Sequence, residues 1–358
     1  MNFELSEEQE LLQETVRGFF ESECPVTRLR EIYDNDEPFD ASLWKGLVEL
    51  GLAGIAIPEQ YGGAGLAALD LAVVAETLGF CAAPGPFLGH SLAGFAIATG
   101  GSDAQKEKWL PRLASGDALG TVAFGESAGW QPENWTLDAA GGALSGGKQA
   151  VLFGAEADVI VVGTANGGLA VVESGAGVSA EAVDNSDRTR RLADLTFDKA
   201  PCEILAGDAA SRTRDLGLVL LAADAFGGAT RLVEMSVEYA KTREQFGVTI
   251  GHFQALKHQL ANMALDVEPS RALYWYAAHA LDEVPDEAER TAAVAKAHIS
   301  DRFMQVGRDA VEAHGGYGFT WECEVQVWFK RAMFDRAYLG SPSTHRTRAA
   351  QLAGWDAA

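Results

Sequence analysis

The sequence predicts an α+β protein of three domains, helical at both ends and β in the middle. Two changes of texture carry that reading. Helical periodicity gives way to short, turn-bounded runs at Leu119, and it returns in long segments from Asp208 onward. A third observation sets the scale: 358 residues with 47% apolar content suffice for several domains and a sizeable buried core. The predicted order is an N-terminal helical domain (1–118), a small middle β domain (119–206) and a C-terminal four-helix bundle (207–358).

Each element has its own signal. Ser6 with Gln9 three residues later spells a capping box, and Leu12, Val16, Phe19 and Phe20 follow at helical spacing. In "DASLWKGLVELG", Asp40 or Ser42 caps a helix that Gly51 ends. The stretch "ALDLAVVAETLG" repeats the pattern and is expected to stop at Gly79. The runs "GTVAFG", "DVIVVGTA", "GLAVVE" and "LADLTFD" are separated by Gly, Asn and Asp turns, which predicts a mostly antiparallel sheet. Long helical segments then span about 213–242, 252–283 and 286–312, with a kink expected at Pro269.

Composition narrows the function. With 28 basic and 51 acidic residues the net charge is −23, which repels a phosphate backbone and excludes nucleic acid as a partner. Cys24, Cys81, Cys202 and Cys323 lie far apart and form no CxxC pair, so neither a zinc site nor a redox pair is expected. Such cysteines suit a reducing, cytoplasmic setting. The opening "MNFELSEEQE" lacks the basic start and apolar core of a leader, and no uninterrupted apolar run approaches about 18 residues, so no membrane span is expected.

The candidate ligand-binding residues cluster in two stretches. In "YAKTREQFGVTIGHFQALKHQLANMALDVE" (239–268), Arg243 offers a bidentate, charge-assisted grip on a pyrophosphate. Gln245 and Gln254 add neutral donors, and Phe246 adds an apolar face. In "AVEAHGGYGFTWE" (310–322), Gly315 and Gly316 let backbone approach a ligand closely. His258, His314 and His345 have no metal-ligand spacing, and no metal is expected; His258 and His345 are placed on surfaces or between helices. The run Arg188–Arg191 reads as a solvated loop.

Together with "GLAGIAIPEQYGGAG" (51–65) and "QKEKWLPRLASGD" (105–117), these two stretches resemble the acyl-CoA dehydrogenase family, in order and over essentially the whole chain. The resemblance implies FAD as cofactor, an acyl-CoA substrate and an electron-transfer flavoprotein as acceptor. It also implies that Arg243, Gln245, Phe246, Gln254, Gly315 and Gly316 serve the adenosine and pyrophosphate half of FAD and reach toward a flavin seated in a neighbouring subunit. His314 replaces a family residue on the second stretch and is placed at the adenine side.

The sequence departs from the family where the chemistry should be. In "FGESAGWQPENW", Glu126 survives, but Gly125 and Ser127 replace the Thr and Pro that flank it, and no Gly-Ser-Asp follows. The flavin-walling Trp-Ile-Thr falls on Ala150, Val151 and Leu152; Trp130 or Trp135 either fills in or caps the sheet. The family's carboxylate base falls on Leu339, and the alternative base position on Gly217. Asp224, two helical turns beyond Gly217, is a remaining candidate base, to be weighed against a buried carboxylate paired with a basic group. No catalytic residue is assigned.

Loss of the base together with the ring wall, beside a retained clamp, resembles one subunit of the hetero-oligomeric acyl-CoA dehydrogenases of actinobacteria. The partner is then a homologous subunit in a two-plus-two assembly, oxidising an acyl-CoA thioester with a steroid side chain or a fatty acyl group. Two other readings stand beside it: a homomeric flavoenzyme with Asp224 as base, and a structural paralogue that binds no flavin.

Overall fold

The computed structural model describes residues 4–35, 39–139 and 141–355. Its opening helices form where the sequence caps them. Helix α1 (Glu7–Glu23) begins at Ser6, whose hydroxyl accepts from the Gln9 N–H while the Gln9 side chain accepts from the Ser6 N–H. Helix α2 (Val26–Asp34) follows, and α3 (Ala41–Glu49) is capped by Asp40, which accepts from the N–H groups of Ser42 and Leu43. Gly51, at φ +79°, turns the chain out of it.

Helices α4 (Ala68–Phe80), α5 (Phe87–Gly100) and α6 (Asp103–Ala114) complete the first helical group. Gly79, expected to end α4, lies inside it. Its role is close approach: a Cβ there would sit 2.0 Å from the carbonyl oxygen of Asp224, and one on Gly227 would sit 1.8 Å from that of Glu76. The bare glycines let α4 cross the later helix α7 (Ala209–Thr242) backbone to backbone.

The middle of the chain is a sheet of β1 (Gly120–Ala123), β2 (Ala143–Leu152), β3 (Val159–Thr164), β4 (Gly168–Glu173), β5 (Val178–Val183) and β6 (Leu192–Leu205). Only β1–β3 is parallel among its pairs. The expected mostly antiparallel character therefore holds. Strand β6 is the spine: its first half lies between β2 and β5, and Cys202–Leu205 pairs with β4. Strands β2 and β5 had no clear sequence signal, because the first is broken by glycines and polar residues and the second is largely exposed. Ala150, in left-handed backbone (φ +51°), marks a bulge in β2.

The C-terminal bundle packs the 34-residue α7, about 50 Å long, against α10 (Pro285–Ala313). Around them lie α8 (Gln254–Val267), α9 (Ser270–Glu283), α11 (Val325–Ala337) and α12 (Pro342–Leu352). Pro269 does more than kink its segment: it separates α8 from α9 and sits at the start of the latter. By length and apolarity α7 matches a membrane span, but 83% of its apolar window is buried inside the protein. It is the core helix of the bundle.

Candidate functional site

The expected cofactor-binding residues come together at one end of the bundle. Helix α7 ends at Thr242, and Arg243 leaves it in extended backbone while its N–H still donates to Tyr239 (2.8 Å). A tight hairpin follows, β7 (Glu244–Gln245) with β8 (Val248–Thr249). Its two turn residues, Phe246 (φ +55°) and Gly247 (φ +79°), both take the left-handed backbone that such a hairpin requires. Arg243 and Gln245 are exposed, and Phe246 is 93% exposed. Gln254 opens α8, its amide 3.1 Å from His258 Nε2.

One turn before Arg243, Tyr239 stacks on His314 at the end of α10, with ring centroids 4.3 Å apart. This stack joins the two motifs. His314 Nδ1 donates to the Ala310 carbonyl at 2.8 Å, which fixes the tautomer, and burial lowers its pKa. Gly315 follows at φ +61°, and nothing lies within 4 Å of where a Cβ on Gly315 or Gly316 would stand. The stretch thus offers a guanidinium, two amides, an apolar ring and open backbone on one exposed surface. That set of groups fits the adenosine diphosphate half of FAD.

The stretches that would face a flavin ring do not fit one. Leu339 is buried to 1% exposure in left-handed backbone (φ +57°). A Cβ on Gly217 would lie 2.7 Å from its Cδ1. The two places where the family carries a base therefore fill each other with hydrocarbon. The loop is pinned by Gln131 Nε2 and His345 Nε2, which donate to the Leu339 carbonyl at 3.3 and 3.1 Å. Lys296 Nζ donates to the carbonyls of Asp335 and Gly340 at 2.5 and 3.3 Å. Burial brings the Lys296 amine down to about 7 and His345 to about 4.

Trp130 lies against Tyr338 (4.8 Å between centroids) and over Gly125, whose carbonyl accepts from the Gln149 N–H at 2.8 Å. Trp135 caps the sheet instead, packing on Phe124 at 4.8 Å and against Gly163. Glu126 is held by buried Lys148 at 2.5 Å and by Thr136.

Asp224 is not placed to act as a base. Arg331 donates Nε and Nη2 to its two oxygens at 2.7 and 2.6 Å, and Arg190 adds a bond at 2.5 Å. Burial favours its neutral form, but the two guanidiniums override that and hold the carboxyl down to about 2. It is the paired carboxylate, and the Arg188–Arg191 run is not the solvated loop expected. Arg188 is exposed, whereas Thr189 and Arg190 are buried. Thr189 and Tyr33 both donate to Asp187, at 2.6 and 2.8 Å, and Arg331 reaches the Ala83 carbonyl at 3.0 Å. The cluster thereby ties α2, the α4–α5 connection, the β5–β6 loop, α7 and α11 together.

Asp335, one turn after Arg331, completes this cluster, and sequence reasoning missed it. Its carboxyl is fully buried, with no donor to either oxygen among the described residues. Burial and then the Asp224 charge raise its pKa well above the carboxylate range. The i, i+4 pair Arg331–Asp335 was visible in the sequence, but nothing there distinguished it from an exposed helix pair.

Two family models match the chain: the acyl-CoA dehydrogenase N-terminal domain over residues 6–117 and the C-terminal domain over 208–353. Acyl-CoA dehydrogenase IpdE2 of Mycolicibacterium smegmatis is 33% identical, covering 94% of this chain and 96% of that protein. Among solved structures, a variant of the Tcur3481-Tcur3483 steroid ACAD superposes with a TM-score of 0.90 at 31% identity, covering 97% of this chain and 98% of that one. The ChsE4-ChsE5 complex of Mycobacterium tuberculosis gives 0.90 at 28% identity, covering 100% of both chains. The helix–sheet–bundle order, the matched domains and the full-length relatives agree: this chain belongs to the acyl-CoA dehydrogenase family, FAD-dependent oxidoreductases acting on acyl-CoA.

Proposed function

We propose that this chain is the base-lacking subunit of a heteromeric acyl-CoA dehydrogenase, completing an FAD site whose ring pocket and base lie on a homologous partner. The observation that carries this reading is the contact of Leu339 with Gly217, which puts hydrocarbon at both base positions of the family. FAD, when bound, supplies the hydride acceptor for α,β-dehydrogenation of the thioester.

In this reading Arg243 grips the pyrophosphate, Gln245 and Gln254 orient it, and Phe246 packs on an apolar part of the neighbouring subunit. Gly315 and Gly316 let the α10 terminus come close to the ligand, and His314, neutral and stacked on Tyr239, sits on the adenine side. Besides Phe246 (93% exposed), Phe319 after the Gly315–Gly316 pair is exposed (76%), so both motifs present an aromatic ring to solvent. That supports a subunit interface here, in a two-plus-two assembly. The steroid ACAD neighbour supports a steroid thioester as substrate, and the ChsE4-ChsE5 complex supports a homologous chain as partner. An electron-transfer flavoprotein then takes the electrons.

Co-expression with a homologous subunit that keeps a carboxylate base tests this. Flavin and acyl-CoA oxidation, followed with an artificial acceptor, should appear in the co-purified complex and not in either chain alone. Full activity from this chain alone, or no flavin in the complex, would overturn the proposal.

A further inference from the structure

We propose that Trp130 is a plug, its indole standing where a planar ring would lie in this chain's own half-site. The inference rests on the reading above, that this half-site is vacated, and it names what fills the space.

Three stretches match the family's ring-facing segments: 125–127, 150–152 and 338–339. Trp130 lies between the first and the last of them, and Tyr338 reaches the Leu152 backbone of the second. The Gln149 carbonyl oxygen lies 2.5 Å and the far edge of the indole 3.1 Å from where a Cβ on Gly125 would stand, so bare glycine at 125 lets both come close. On the other side its centroid is 4.8 Å from that of Tyr338, which itself stacks on Phe334 at 4.9 Å.

The plug is anchored from both of its neighbours in the fold. Trp135 Nε1 donates to the Trp130 carbonyl at 3.2 Å, and Trp135 is wedged against Gly163. Gln131, the next residue, donates to the Leu339 carbonyl at 3.3 Å. One short segment thus carries an aromatic ring into the space between sheet and bundle and locks it to the loop that lacks the base. Gly125, where the family carries a threonine, thus leaves space that the Gln149 carbonyl and the Trp130 indole share.

Trp130 is half-buried, so removing its indole opens an apolar recess between Gly125 and Tyr338 that a flat molecule can enter from solvent. A void left by ordinary packing accepts free indole and nothing larger. A void that is the ring position also accepts an isoalloxazine. Trp130→Gly in the full chain separates the two, with melting temperature measured with and without indole and riboflavin titrated by quenching of its fluorescence.

The expected result is that indole raises the melting temperature of the variant and that riboflavin competes with indole. Riboflavin should bind one per chain, about tenfold or more tighter than to the unaltered protein. A variant stabilised by indole that binds riboflavin no tighter than the unaltered protein would overturn the plug. If Trp130→Gly is unfolded even with indole, Trp130→Leu, which keeps an apolar contact on Tyr338, is titrated in the same way with the same criterion. Riboflavin binding to the unaltered chain at one per chain would overturn the vacated half-site, and the plug with it.

Discussion

Leu339 lies in the notch that Gly217 leaves open, its Cδ1 2.7 Å from where a Cβ at 217 would begin. Leu92 closes the same notch from α5, at 3.2 Å. A carboxylate at either position would have to displace this contact and stand uncharged or unpaired in hydrocarbon. The absence of a base is therefore built into the packing.

It follows that Leu339→Glu gives no acyl-CoA oxidation in the isolated chain. A base acts only within hydrogen-bond reach of a bound α-proton, and neither ligand is seated here. The substitution should also cost stability, by about 2–4 kcal/mol, because the new carboxyl is buried beside Leu92 without a donor. Denaturant unfolding measures the cost, and an artificial-acceptor assay checks activity. Turnover by the variant alone would mean the half-site is intact.

Cofactor content gives a second expectation. With Ala150 and Leu152 in place of ring-binding side chains and Trp130 beside them, the chain purified alone should carry little FAD. Assembled with its partner it should bring the ratio to one FAD per heterodimer. Absorbance of released flavin against protein concentration decides it, and a ratio of two would show two working ring pockets.

The Asp224 cluster predicts a stability effect in place of a catalytic one. Asp224→Asn leaves Arg190 and Arg331 facing each other without a full countercharge, at a cost of about 3–5 kcal/mol. Because the folded-state pKa of Asp224 is depressed from 3.8 to about 2, its contribution is present above pH 4 and is lost as pH falls through 2. In the assembled complex the saturated rate should stay nearly unchanged under conditions where the variant remains folded. A stable variant with abolished turnover would return Asp224 to the role of base.

Asp335 has the opposite sign. Its folded-state pKa is raised, so the stability it contributes is fully present below the unfolded carboxyl value and declines as pH rises toward the folded one. Asp335→Asn keeps the size of the side chain and removes that titration. The variant should match or exceed the unaltered protein in melting temperature at pH 8 and show a flatter pH dependence between 5 and 8. A loss at pH 8 comparable to that of Asp224→Asn would mean that Asp335 is charged in the fold.

The division of the chain into helices, sheet and bundle was legible because each element carries a local signal: the Ser6 box, the Asp40 cap, the turn residues of the sheet. The gathering of Arg243 with Gly315 was legible only through the family resemblance, since it depends on Tyr239 meeting His314 across two long helices. What stayed hidden is what local signals cannot carry. Gly79 looked like a helix end, because a glycine that admits another backbone has the same letter as one that ends a helix. Arg190 looked solvated because its partners, Asp224 and Phe334, come from α7 and α11 far along the chain. Trp130 looked like an ordinary loop tryptophan because Tyr338 is more than 200 residues away.

The clamp itself is tested by Arg243→Ala in the assembled complex. Arg243 is exposed at the start of a hairpin, so its removal should leave the fold of this chain untouched, with a melting temperature within the range of a surface change. What it removes is a charge-assisted contact to a pyrophosphate, worth roughly 1.5–3 kcal/mol. That corresponds to about a ten- to hundredfold loss in FAD affinity. Activity should therefore collapse at limiting FAD and recover when FAD is added in excess, because the base and ring pocket stand on the partner. Arg243→Lys should recover only part of the affinity, since an ammonium keeps the charge but not the two-pronged grip. An FAD titration of activity for the three proteins separates these outcomes. Unchanged affinity in Arg243→Ala would remove this residue from the site, and a lowered rate at saturating FAD would place it nearer the chemistry than the trans clamp allows.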